Sequence, residues 1–296
     1  MSHKLGYIFF ECLGEDLALD FSYDFENNVR FMRKIPSINE APWHEWLGLQ
    51  WQDVVTSNAV IEVKSETQNP KILDNENKEL EFKCRKLWLS LMLTGPFYLD
   101  NAYFLTGSEI NNKIEIRRFF KFDRWFHPGD NFVETITDIE VNKWKNIFLQ
   151  IEEIYKRKED FTRFKRGLLC FLKGCNESQV FFRLPYFVRS LEALSIPDKG
   201  KTARQFKSRV SQWWPANSQK GHFSEDAMIT LSEIYDLRCD FEHMHPPKID
   251  DVNKQLLRSY QCEKVARNAY YDILMNSNKL KMFINDDTIK RFWVNQ

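Results

Sequence analysis

Nowhere in this chain do about 18 apolar residues run together, the length a membrane-crossing helix requires. The first residues, Met1-Ser-His-Lys-Leu-Gly-Tyr-Ile-Phe-Phe-Glu11, lack the apolar stretch and small-residue cleavage site of a secretory signal. There is no CxxC pair: Cys12, Cys84, Cys170, Cys175, Cys239 and Cys262 are scattered. In a chain of 296 residues that pattern reads as reduced thiols rather than a disulfide frame. Together these absences predict a soluble, cytoplasmic protein with no membrane partner. Net charge is absent too, with 42 basic against 42 acidic residues. That excludes a protein that coats nucleic acid through a broad positive field. No internal repeat or low-complexity tract is visible.

What the chain does have is aromatic residues, 25 Phe and 9 Trp within a 15% aromatic share. Each buried aromatic removes about 150–250 Å² from water, so two cores can be filled, and the length is comfortable for two domains. The balanced charge hides an asymmetry. Residues 1–150 hold 17 Lys and Arg against 23 Asp and Glu, while residues 151–296 hold 25 against 19. The second half is therefore the better candidate to meet a phosphate backbone.

The period of the hydrophobic pattern changes along the chain. Tyr7–Cys12 and Leu17–Tyr23, separated by Leu13-Gly14-Glu15-Asp16, predict a β-hairpin. Ala59–Lys64 and Lys113–Phe122 predict further strands, Phe82–Met92 fits a buried strand or a helix equally, and Gln68–Glu79 reads as a polar loop. Beyond Thr137-Asp138, Trp144, Ile147, Phe148, Ile151, Ile154 and Tyr155 recur at helical spacing. Helices are predicted over Phe161–Lys173, Gln179–Leu194 (ended or kinked at Pro185), Ala203–Trp214, Asp226–His243 and, longest and last, Val252–Asn276. The expected fold is α+β: a mixed, strand-rich domain over 1–140, then an all-α bundle over 141–296.

Within Leu231–His243, at about 100° per residue, Ile234, Leu237 and Phe241 share an arc with Leu231 and Met228. Glu233, Asp236 and Asp240 fall opposite. Arg238 sits near the middle of the apolar arc, where a guanidinium is expected only if it is paired or functional. His243 follows at the margin of that arc.

The segment Arg238-Cys239-Asp240-Phe241-Glu242-His243 resembles the Arg-x4–6-His motif of the HEPN superfamily. Arg189-Ser-Leu-Glu192-Ala-Leu on an earlier helix looks like the Glu-Ala-Leu helix of its ApeA-like branch, and the resemblance covers roughly residues 141–296. It implies a helical catalytic domain, a homodimer that brings two motifs together, and RNA cleavage with no metal and no cofactor. It also implies a role in anti-phage defence by growth arrest, with the front domain sensing a phage or ligand trigger. Cys239 departs from the family, where that position is commonly Asn, Asp or His.

These residue types suit the implied chemistry. A histidine can exchange a proton at neutral pH, and an arginine can grip a phosphate and stabilise developing charge. The expected catalytic set is His243 for acid/base work, Arg238 for the phosphate, and Glu192 to orient or pair with one of them. The alternative is a non-catalytic HEPN-like module that binds RNA, a nucleotide or a protein partner.

Other features keep two readings each. Lys199, Lys201, Arg204 and Lys207, with Arg209, form a stretch without an acid that either grips RNA or is a solvated face. Gly200-Lys201-Thr202 is not a P-loop, because the upstream Gly is missing. Trp213 and Trp214 either stack on bases or pack in a core. Pro42-Trp43-His44-Glu45-Trp46 with Trp51 is either a recognition surface or packing. Cys239 and His243 stand at the i,i+4 spacing of a metal pair, but no second pair of ligands is evident.

Overall fold

The computed structural model describes residues 2–12, 22–33, 44–45, 47–69, 75–97, 99–110, 113–122, 136–215 and 222–294. The chain divides into two compact units. Of the described residues, the first holds those up to 91, 95–122 and 136–145, and the second holds 92–94 and 146–294. The fold is α+β: an antiparallel sheet in the first part, helices in the second. Among the described residues no helix is long and apolar enough to cross a membrane.

The first unit is built on β1 (Ser2–Cys12), β2 (Ser22–Glu26), β3 (Val29–Met32), β4 (Ala59–Thr67), β5 (Leu99–Ile110) and β6 (Lys113–Phe122). They lie in the order β2-β3-β4-β1-β5-β6, every neighbouring pair antiparallel. Strand β1 is central, so its side chains are buried on both faces. Leu5, Tyr7 and Phe9 point to one face, where they cluster with Val60, Leu105 and Val54 of α1 (Gln50–Thr56). Trp51 of α1 packs at the edge of that cluster, which assigns it to packing.

Gly6, Ile8 and Phe10 point to the other face, under α2 (Asn75–Thr94). There Trp88 meets Phe10 and stacks on Phe122 at 4.8 Å. A Cβ on Gly6 would lie 2.9 Å from the Cys84 sulfur, so glycine lets α2 approach the strand. The first turns of α3 (Asp138–Lys156) close this core. Trp144 stands edge-on to Phe25 and Phe31, and its Nε1 donates to the Leu87 carbonyl and to Ser90 Oγ.

Two expectations for this unit change, and a third, left open, resolves. Strand β1 does not pair with β2; its neighbours are β4 and β5, because Leu5–Phe10, with no polar break, suits the middle of a sheet covered on both faces. Residues 17–21 of the expected second arm, the 13–16 turn and Pro42, Trp43 and Trp46 lie outside the described residues. The polar loop expected over Gln68–Glu79 gives way to α2 from Asn75 onward, whose polar first turns precede the buried stretch Leu87–Leu93. Phe82–Met92 is thus helical.

The second unit holds the rest of α3, then α4 (Thr162–Cys175), α5 (Val180–Ser195), α6 (Thr202–Val210) with a 3₁₀ turn over Ser211–Trp213, α7 (Ala227–Glu242), α8 (Val252–Leu274), α9 (Ser277–Lys281) and α10 (Asp286–Val294). Helix α5 is the hub, packed against α4, α7 and α8. It runs unbroken through Pro185. The missing N–H falls in the second turn, where it costs one hydrogen bond, and burial of Leu184, Phe187, Val188 and Leu191 outweighs that loss. Helices α9 and α10 follow the long helix that the sequence reading placed last.

Close approach of α4 to α5 depends on Gly167. A Cβ there would come 2.8 Å from the Ala193 Cβ and collide with the Tyr270 hydroxyl of α8. That hydroxyl donates to the Ser190 carbonyl (2.9 Å), and Ser190 Oγ donates to the Gly167 carbonyl (2.9 Å), so one chain of hydrogen bonds ties three helices.

Trp213 is buried, donates from Nε1 to Asp272 and stands edge-on to Trp293. Trp214 packs on Phe223. Both act as packing residues.

Candidate functional site

Helix α7 starts at a good cap, with Asp226 Oδ1 accepting from the N–H groups of Met228 (2.8 Å) and Ile229 (3.0 Å). Leu231, Ile234, Leu237 and Phe241 are buried as its period predicts, whereas Met228 is exposed. Asp240, expected on the outer side, is buried instead, because it organises the turn that follows. Its carboxylate accepts from Lys248 N (3.1 Å) and its carbonyl from His245 N (2.8 Å).

Helix α7 is held against α8 by a charged cluster. Arg258, 1% exposed, donates from Nε to Glu233 (2.7 Å) and pairs with Glu225, while Lys254 also reaches Glu233 (3.0 Å). Burial pushes the Glu233 pKa up, but hydrogen bonds from Lys254 and Arg258 outweigh it and hold the carboxyl below its ordinary range. A depressed carboxyl contributes stability that is present above its unfolded pKa, near 4.3, and lost as pH falls through its folded value. Urea melts between about pH 5 and about pH 3 should therefore show a falling midpoint. Glu233→Gln should flatten that fall; an equal acid dependence in the variant would refute the assignment.

Arg238 lies in an alternating charge chain that crosses from α5 to α7. From α5 come Arg189 and Glu192, three residues apart, and from α7 come Arg238 and Glu242, four apart; each pair thus shares one helix face. Arg189 Nε donates to Glu242 Oε1 (2.8 Å). The other Glu242 oxygen lies 2.9 Å from Arg238 Nε, as an ion pair without hydrogen-bond alignment. Arg238 Nη2 donates to Glu192 Oε2 (3.3 Å), and the guanidinium lies over the Tyr235 ring. Arg238 keeps 18% of its side chain exposed.

Burial raises the Glu192 pKa; Arg238 and Arg189 pull it down and Glu242 pushes it up, with a net rise. For Arg238 burial disfavours the charge, yet Glu192 and Glu242 more than compensate. The chain fixes orientation more than it adds stability, since partly exposed pairs contribute about 0–1 kcal/mol each.

His243 is the C-cap of α7 and is exposed. Met244 follows with φ +54°, and its N–H bonds to Phe241 O while that of His245 bonds to Asp240 O. This is a Schellman closure with methionine where glycine is usual, so strain is stored beside His243. The His243 and His245 rings stand 5.7 Å apart. Among the described residues no hydrogen bond, ion pair or ring contact joins His243 to Arg238 or Glu192. The structure thus brings Arg238 and Glu192 together and sets His243 apart at the helix end.

Two hollows flank the charge chain. One, of about 400 Å³, runs along α4 and α5 and is lined by Arg163, Arg166, Cys170, Arg189, Glu192 and Asp286, among others. The other, about 210 Å³, is lined by Phe182, Tyr186, Phe241 and Met244 and again by Arg189 and Glu242. Burial pushes the Cys170 thiol up, against the pull of Arg189 and Lys173.

Sequence reasoning missed Arg163, Arg166 and Asp286 as site residues. The spacing of Arg163, Arg166 and Cys170 along one helix face was a usable signal; the arrival of Asp286 from α10 had none.

Of the basic stretch, Lys199, Lys201 and Arg204 are exposed. Lys207 donates to Ser232 of α7 (3.2 Å), and Arg209 donates to the Ser195 and Ile196 carbonyls, capping the end of α5. None of the five lines either hollow. Among the described residues no group of three or more His, Cys, Asp or Glu side chains is placed to hold a metal ion.

Comparison of the chain with protein-family models, with curated proteins and with solved structures returns no match. Function must therefore be read from the side chains themselves.

Proposed function

We propose that this chain is a metal-independent RNA endonuclease of HEPN type, with Arg238 and His243 as its catalytic residues. What carries the reading is the placement of Arg238. Carboxylates from two facing helices hold its guanidinium part-exposed, Glu192 lining one hollow and Glu242 the other, on a helix that ends in an exposed histidine. In the reaction the ribose 2′-oxygen bonds to the adjacent phosphorus and the bond from phosphorus to the 5′-oxygen breaks. His243 exchanges the protons, taking one from the 2′-hydroxyl or giving one to the leaving 5′-oxygen. Arg238 stabilises the charge that builds on the phosphate, and Glu192 positions Arg238.

The products are a cyclic phosphate and a free 5′-hydroxyl. In this reading two subunits join their motifs in one groove, and exposed Lys199, Lys201 and Arg204 guide the strand. The sheet-bearing unit answers a phage or ligand trigger, and cleavage arrests growth. Incubation of the purified protein with total RNA in EDTA tests the central claim: fragments ending in cyclic phosphate are expected, and intact RNA would overturn it.

One observation favours a second reading. Both carboxylates already occupy Arg238, and no contact joins it to His243. A non-catalytic module that binds RNA, a nucleotide or a protein partner would look the same, and it predicts binding without fragments in that experiment.

A further inference from the structure

The hollow along α4 and α5 carries one more cation than anion in its lining. Three guanidinium groups, Arg163, Arg166 and Arg189, line it against two carboxylates, Glu192 and Asp286. Their commitments differ. Arg163 is bound in two-pronged fashion by Asp286, Nε to Oδ1 at 2.9 Å and Nη2 to Oδ2 at 2.7 Å. Among the described residues Arg189 hydrogen-bonds through Nε alone, to Glu242, and its charge also acts on Glu192. Arg166 is exposed and makes no hydrogen bond or ion pair among the described residues, its charge acting only at longer range on Asp286. The remaining lining is small: Thr162, Gly167, Cys170 and Ala193. Such a hollow disfavours a metal cation and offers little to an apolar ligand. Guanidinium groups arriving from two helices suit the spread oxygens of a phosphate.

We propose that this hollow is a phosphate-binding subsite for a strand nucleotide next to the scissile bond, with Arg166, whose donors make no hydrogen bond among the described residues, as its first cation and Arg189 as the second donor. The strand part of this inference rests on the proposed nuclease reading. Arg189 also lines the aromatic hollow that holds Phe182, 54% exposed, and Tyr186. A phosphate at Arg166 and Arg189 therefore has a ring surface beside it on which a base can stack. That neighbour favours a nucleotide over a bare anion. Arg189 is then the link to catalysis, because it shares Glu242 with Arg238.

The test uses the full chain and a fluorescein-labelled 2′-O-methyl RNA 10-mer, which has no free 2′-hydroxyl and cannot be cleaved. Anisotropy is read in EDTA at several salt concentrations, and calorimetry with adenosine 5′-monophosphate and with inorganic phosphate reports on free ligands. Arg166→Gln should weaken 10-mer binding about tenfold and lower the salt slope by about 0.7, the loss of one single-strand phosphate contact. Arg166→Glu should weaken it further, and Lys78→Gln, on the other unit, should change it less than about twofold.

Wild-type affinity and slope in both Arg166 variants would overturn the subsite, as would a wild-type protein that binds none of the probes. Binding of the mononucleotide or of phosphate without the 10-mer would overturn the strand assignment. The two readings fail separately. RNA cleavage with binding insensitive to Arg166 removes the subsite alone, and Arg166-dependent binding without cleavage removes the nuclease alone.

Discussion

His243→Ala should lower RNA cleavage by about 10²–10⁴-fold, the range typical of a lost general acid or base, with fold and oligomeric state unchanged. The expectation of an intact fold follows from position. The His243 side chain is exposed and makes no hydrogen bond among the described residues, and the turn beyond it is closed by main-chain bonds from Met244 and His245 that alanine retains. The fall should appear in the rate at saturating RNA more than in binding, because the proton transfer belongs to the transition state.

Arg238 needs a gentler probe. Alanine there strands Glu192 and Glu242 beside each other without their shared cation, so lost activity could reflect a rearranged site. Arg238→Lys keeps the charge but forfeits the planar fork that grips a phosphate. It should fold like the wild type and still lose most of its activity. Undiminished cleavage in both His243→Ala and Arg238→Lys, by purified protein of wild-type circular dichroism and elution volume, would remove these residues from catalysis.

The legibility of this chain follows the range of its interactions. The helices of the second half were readable because an amphipathic period repeats locally. Trp144 through Tyr155 announces α3, and Asp226 with the apolar run after it announces α7. Arg238 was readable for the same reason, as a charge on an arc that should be apolar, and Glu192 as part of a quoted segment on a facing helix.

Pairings between distant segments were less visible. The neighbours of β1 are β4 and β5, more than 50 residues away in the register Tyr7 to Glu62 and Tyr7 to Leu105, and a short aromatic run nearby looked like the simpler partner. Strands β3 and β5 and helix α1 carried too weak a period to be singled out. Asp240 defeated the helical wheel because its burial is set by the turn after the helix rather than by its angle on it. Asp286, arriving beside Arg163 from 123 residues away, has no local signature at all.

Glu263→Leu should destabilise the helical unit by about 3–5 kcal/mol, the usual result of removing one member of a buried ion cluster. Glu263 of α8 pairs with Arg183 of α5 and with Arg267 one turn along α8, and the three side chains are only 6%, 4% and 6% exposed in the order Arg183, Glu263, Arg267. The cluster joins the hub helix to the longest helix of the unit, so its loss is felt where α5 must stay in place to present Arg189 and Glu192. Without the carboxylate, two guanidinium groups are left out of reach of water with no counter-charge, and the hydrogen bond from Arg267 Nε to the Met92 carbonyl (2.8 Å) offsets little of their desolvation.

The size of the loss says nothing about the net value of the cluster, because bringing all three charges out of water is itself costly. A second variant separates the two quantities. Replacing the three together, as Arg183→Met, Glu263→Leu and Arg267→Met, should recover most of the stability lost in the single variant, since an apolar triad of similar volume leaves no charge unpaired. Guanidinium chloride melts monitored by helical circular dichroism provide the comparison, with unchanged slopes showing that stability and not compactness has moved. A triple variant no more stable than Glu263→Leu would mean that these three charges are themselves what holds α5 against α8.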